Sequence, residues 1–159
     1  MDIKELKPTS IWHYFDAITG VPRPSKKEER IREFLLNFAK EQNLEVKVDK
    51  TGNVVITKEA TPGCEGAPTV ILQAHMDMVC EKNGDVKHDF ERDPIETYID
   101  GEWVKARGTT LGADNGIGMA AAMAVLADEE LKHGRIQALF TVDEETGLTG
   151  AFGLESGMI

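Results

Sequence analysis

The chain has 159 residues, 41% of them hydrophobic and 29% charged, which suits one globular domain with a core of its own. A formal net charge of −10 argues against nucleic acid and anionic membranes, both of which select basic surfaces. No apolar run is long enough to span a membrane, the opening MDIKELKPTS has no secretory apolar region, and Cys64 and Cys80 form no CxxC pair, so a reducing cytoplasm is expected.

SIWHYFDAITG predicts a short helix with Thr9 or Ser10 as N-cap and Gly20 as its stop. VPRPS reads as an extended linker, because each proline biases its predecessor away from helix. In SKKEERIREFLLNFAKEQN, Ser25 and Glu28 have the spacing of a capping box. Ile31, Phe34, Leu35 and Phe38 then recur as the apolar stripe of an amphipathic helix. LEVKVDKTGNVVITKEA predicts two strands around a Thr-Gly-Asn turn.

TVILQAH is a continuous apolar run, expected to be a strand buried on both faces. ETYIDGEWVKA alternates around Asp100-Gly101 and predicts a hairpin. The glycine-rich RGTTLGADNG leads into an alanine-rich helix, IGMAAAMAVLADEE, whose small side chains suit close packing on a sheet. RIQALFTVDEE is a second buried strand that ends in acids, and TGLTGAFGLESGMI starts as a loop with some helical character. The fold class expected is α/β, a mixed sheet flanked by helices, with ligands collecting at the carboxyl ends of the strands.

Three polar clusters fall at such ends. His75 and Asp77 stand two apart where TVILQAH stops, and residues two apart in an extended chain share a face. This is either a strand reaching the surface or a metal ligand with the acid that fixes its tautomer. Asp114 lies between glycines at the start of a helix, as a dipole-favoured acid or as a carboxylate able to bridge two cations. Asp143, Glu144 and Glu145 follow a buried strand, as a solvated turn or as acids whose repulsion a divalent cation relieves. Adjacent strand residues diverge, so Glu144 and Glu145 are expected to take different tasks, one as base and one as ligand. Jointly the clusters offer one imidazole and several carboxylates, a set that suits zinc, with manganese or cobalt as substitutes. No Gly-x-Ser-x-Gly elbow or phosphate loop competes with that reading. His13, His88 and His133 read as surface or helix-end residues.

These clusters, in this order, resemble the dinuclear zinc peptidases of the M20 type. AHMDMVCEKN, GTTLGADNGIGMAAAMAVL and FTVDEETGLTGAFGL, with the opening FDAITGVPRPSKKEE, look like the aminoacyl-histidine dipeptidases of that family. The resemblance implies metal ligation by His75, Asp114 and Glu145, with Asp114 bridging two zinc ions. It implies that Asp77 supports His75, that Glu144 is the general base, and that a water held between the metals attacks a dipeptide, Xaa-His above all. It also implies a cis peptide bond between Asp114 and Asn115. The family uses two further ligands, an acid beyond Glu145 and a distant histidine. After Glu145 the chain offers Glu155 as its only acid, and no histidine.

Residues 1–159 are therefore expected to be the N-terminal portion of a metallopeptidase catalytic domain, without the lid or dimerisation domain and the C-terminal catalytic segment. The isolated chain is expected to be inactive, and its parent is compatible with a homodimer. The same chemistry serves N-acyl amino-acid deacylases, and a non-catalytic piece that packs or binds metal weakly is the alternative of another class.

Overall fold

A computed structural model describes residues 2–159. After a short 3-10 turn, the chain runs α1 (Thr9–Thr19), α2 (Glu29–Glu41), β1 (Glu45–Val48), β2 (Val54–Lys58), β3 (Val70–His75), β4 (Thr97–Asp100), β5 (Trp103–Ala106), α3 (Ala113–Ala127) and β6 (Ile136–Thr141). Two single-turn helices follow, α4 (Glu144–Gly147) and α5 (Thr149–Phe152). The main sheet has the order β1-β2-β6-β3, with β3 parallel to β6 and the other pairs antiparallel. β4 and β5 form the separate hairpin expected around Asp100-Gly101.

Strand alternation sorts the core into two layers. Val54, Ile56, Ala138 and Phe140 face the helices and join Ile31, Leu35, Phe38, Met119 and Met123 in the main cluster. Val55 and Leu139 face the other way, where the chain end covers them with Leu154 and Met158. The alanines of α3 let it lie close on β3 and β6, with Ala120 and Ala122 buried. Leu35 is fully buried at the centre of the stripe read from α2. Leu35→Ala is expected to cost about 2–5 kcal/mol, from lost transfer energy plus a cavity, measured as the shift in a urea unfolding curve. Among the described residues, no helix is long and apolar enough to cross a membrane.

Three local expectations need correction. β3 is not buried on both faces: it is an edge strand with β6 as its one neighbour, and Val70 and Ile71 are about half exposed (50% and 47%). Helix α1 has Pro8 at its N-cap position, so Thr9 and Ser10 lie inside the first turn. Ser25 and Glu28 form no capping box: α2 starts at Glu29, Ser25 Oγ donates to Asp77, and Glu28 accepts the amides of Lys26 and Asp143.

Candidate metal centre

The parallel register sets His75 beside Thr141, so β3 and β6 end together. Their carboxyl ends deliver His75 and Asp77 from one strand and Asp143 to Glu145 from the next. The start of α3 brings Asp114 to the same place. Gly112 precedes it in a left-handed conformation (φ +70°), and Asp114 itself is extended (φ −85°, ψ 110°). The Asp114–Asn115 peptide is cis. One oxygen or nitrogen from each of His75, Asp114 and Glu145 lies within 4.8 Å of the other two.

His75 is buried between acids. Its Nδ1 faces the Asp77 carbonyl at 3.1 Å and the Asp77 carboxylate at 3.2 Å, both acceptors, so Nδ1 carries a proton. Nε2 points the other way, 3.0 Å from Asp114 Oδ1 and 3.8 Å from Glu144 Oε2. Burial opposes charge on this ring, but its hydrogen bonds to Asp77 and Asp114 outweigh that and hold its pKa up at about 9.

Asp77 is the hub of the centre, fully buried (0% exposed). Besides His75, its carboxylate accepts Ser25 Oγ at 2.7 Å and the backbone amides of Glu144 at 3.0 Å and Glu145 at 3.2 Å. Burial alone would raise this acid. The bonds from His75, Ser25 and the two amides win and keep it well below the usual carboxylate range. For Glu145, burial and then the charges of Asp114 and Glu144 push the pKa up against the pull of His75. Glu144 and Glu145 do not diverge along a strand, because the chain turns at Asp143 (φ +49°) and both lie in the first turn of α4.

The donor set fits a divalent cation. Three carboxylates gather around one imidazole, and among the described residues the ion-pair partner of Asp114 and of Glu144 is His75 itself. Positive charge is short there, and the raised His75 pKa expresses that shortage. Asp77 fixes the tautomer that leaves Nε2 directed at the carboxylates, as in metal sites whose ligating histidine is held by an acid. The centre lines an open cavity of about 360 Å³ with Gln73, Thr141 and Leu148 on its walls, within the size range of small-ligand sites.

The shifts predict opposite responses to pH with and without metal. In a chelator, the raised His75 pKa contributes stability that is complete below its ordinary 6.5 and is lost as pH rises through about 9. The depressed Asp77 pKa contributes stability present above the ordinary 3.8 and lost as pH falls through its lower folded value. The metal-free chain should therefore lose thermal stability from pH 6.5 to 9. With excess zinc the stabilisation should instead grow over that range, since the cation competes with a proton on His75. Parallel melting curves with and without zinc would contradict this.

Sequence reasoning missed Arg23, Ser25 and Glu28, which lie behind the centre. Arg23 Nη1 donates to the carbonyls of Met76 and Asp77, both at 3.1 Å, and Nη2 to that of Gly112 at 2.5 Å. Glu28 Oε1 accepts the Asp143 amide at 2.9 Å. Asp143 in turn accepts the hydroxyls of Thr146 and Thr149. His13, His88 and His133 lie outside the cluster, and both cysteines are free.

Comparison with known proteins bears on this geometry. The chain is 52% identical over 158 residues to the cytosol non-specific dipeptidase of Escherichia coli K12, covering 99% of this chain and 33% of that protein. It is similar in structure to an aminoacylhistidine dipeptidase from Vibrio alginolyticus, with a TM-score of 0.97 and 57% identity over 100% of this chain and 32% of that one. A tripeptidase from Staphylococcus aureus is also similar, with a TM-score of 0.79 and 25% identity over 97% of this chain and 41% of its own. The chain thus spans about a third of the length of the first two relatives. The family model of peptidase family M20/M25/M40 matches residues 71–158, which contain every residue of the cluster, and the chain belongs to that family.

Proposed function

We propose that the chain supplies the metal-binding part of a metal-dependent dipeptidase. The observation that carries this reading is the convergence of His75, Asp114 and Glu145 at the ends of two parallel strands, with Glu144 beside them. Zinc is the proposed ion, because the donors are one imidazole and carboxylates. His75 and Glu145 would each hold one cation, and Asp114, whose carboxylate is open to the cavity, would bridge the two. Such cations, when bound, acidify water and polarise a scissile carbonyl.

The chain's own residues do the remaining work. Asp77 keeps the proton on Nδ1 of His75 and leaves Nε2 as a donor atom. Through the same carboxylate it holds the amides of Glu144 and Glu145, which fixes α4 relative to His75. Glu144 takes a proton from the attacking water and passes it to the leaving amine. Xaa-His dipeptides are the proposed substrates, supported by the likeness to the Vibrio enzyme. Other unblocked dipeptides come next, given the likeness to the non-specific cytosol dipeptidase of E. coli, which also supports a cytosolic setting.

A chimera tests this reading. The matching third of the E. coli dipeptidase is replaced by this chain, and the product is assayed with zinc on a Xaa-His dipeptide, other dipeptides and N-acyl amino acids. Zinc-dependent release of free histidine is expected. Hydrolysis of N-acyl amino acids alone would replace the dipeptidase reading by a deacylase, and a folded but inert chimera would remove it.

A further inference from the structure

Three segments carry the metal centre: 75–77, 112–114 and 143–145. A fourth, Arg23 to Glu28, touches all of them. Arg23 joins the first two with one guanidinium, bonding Met76 and Asp77 on one side and Gly112 on the other. Its own carbonyl accepts the Met78 amide at 3.1 Å, which pins the segment along the strand end. Ser25 holds the Asp77 carboxylate, and Glu28 holds the Asp143 amide. We propose that residues 23–28 form a clamp that sets the spacing of the metal ligands, with Arg23 as its principal positioning residue. This deepens the metallopeptidase reading and rests on it.

The chemistry of Arg23 favours positioning over bulk stabilisation. Arg23 is 2% exposed, its Nε has no partner among the described residues, and its hydrogen bonds go to carbonyls. Burial drags its pKa down to about 10, so it stays charged at neutral pH. A buried cation of this kind is costly, and an apolar side chain of similar volume would stabilise a core as well or better. What an apolar residue lacks is a rigid planar fork with donors at fixed spacing. The surroundings are cut to that fork: a Cβ on Gly112 would lie 2.5 Å from Nη2, and one on Gly116 would lie 2.7 Å from it. Both glycines are in the segment that presents Asp114. A good metal site holds its ligands within about 0.2 Å of their standard distances, so a brace between the loops that carry His75 and Asp114 bears on affinity.

Arg23→Lys keeps the charge and loses the fork. Two readouts on the 159-residue chain test it: backbone amide exchange without metal, and cobalt(II) affinity from its visible absorption. Exchange should quicken at Met78 and Gly116 while the amides of β6 stay protected, and cobalt affinity should fall about 10–100-fold. Ser25→Ala removes a single bond and guards against misfolding of the lysine variant. It should lose about five- to tenfold in cobalt affinity, and Ser25→Thr should restore it. Unchanged exchange and affinity in both Arg23→Lys and Ser25→Ala would overturn the clamp. So would a uniform loss of protection that includes β6, which marks a merely structural role. If the unsubstituted chain takes up no cobalt while Arg23→Lys still loosens only Met78 and Gly116, the brace between the loops stands, and the metal reading falls with the clamp's part in ligand spacing.

Discussion

Asp77→Asn is expected to lower zinc affinity about 10–100-fold and to destabilise the metal-free chain by about 3–5 kcal/mol. The volume hardly changes, so the loss comes from charge and hydrogen-bond direction. Asp77 is fully buried and receives four donors: the His75 ring, the Ser25 hydroxyl and the amides of Glu144 and Glu145. An amide in its place turns an NH2 group toward some of them and leaves a donor unpaired out of reach of solvent. It also removes the charge that sustains the His75 imidazolium in the metal-free chain. With metal, it weakens the hold on the Nδ1 proton and on the ring orientation, leaving the residue 77 carbonyl as an uncharged acceptor. Urea unfolding in chelator measures the first effect and calorimetric zinc titration the second. If both matched the unsubstituted chain, Asp77 would be a bystander.

How far the sequence could be read depended on whether the cause was local. The strand ends of β3 and β6 were legible because apolar runs stopped abruptly at His75 and at Asp143 to Glu145. The α2 stripe was legible because burial of Ile31, Leu35 and Phe38 follows the helical period. Ser25 and Glu28 were misread because a four-residue spacing is only local. Ser25 bonds Asp77, 52 residues further along the chain, and Glu28, beside the local Lys26 amide, bonds Asp143, 115 residues further. Arg23 gave no signal either, since a basic residue between prolines usually marks a solvated linker. Edge position was equally invisible in β3: apolar content reports what a strand is suited to bury, not which neighbours it has. Divergence of Glu144 and Glu145 follows from a continued strand, and Asp143 instead turns the chain into α4.

The largest effect is expected at Glu144, and it separates chemistry from metal binding. The 159-residue chain alone should not hydrolyse dipeptides at a useful rate. A catalytic metal takes about three protein ligands, and the described cluster offers two cations only His75, Asp114 and Glu145 to share. In the E. coli chimera the relative is expected to supply the remaining donors, and zinc-dependent dipeptide hydrolysis is expected. Glu144→Gln in that chimera should reduce kcat about 10²–10⁴-fold, the usual contribution of a positioned general base, with zinc content and KM near those of the parent chimera. The proposed roles differ in placement. Glu144 stands 3.8 Å from His75 Nε2, further than Asp114 at 3.0 Å, and it lines the open cavity with its side chain partly exposed. Its amide bond to Asp77 survives the substitution, so α4 keeps its place. Glu145→Gln should behave differently, losing zinc and activity together, because that side chain belongs to the ligand cluster. Loss of zinc in Glu144→Gln to the same extent would make Glu144 a ligand rather than the base. Full activity in the same variant would remove it from the mechanism.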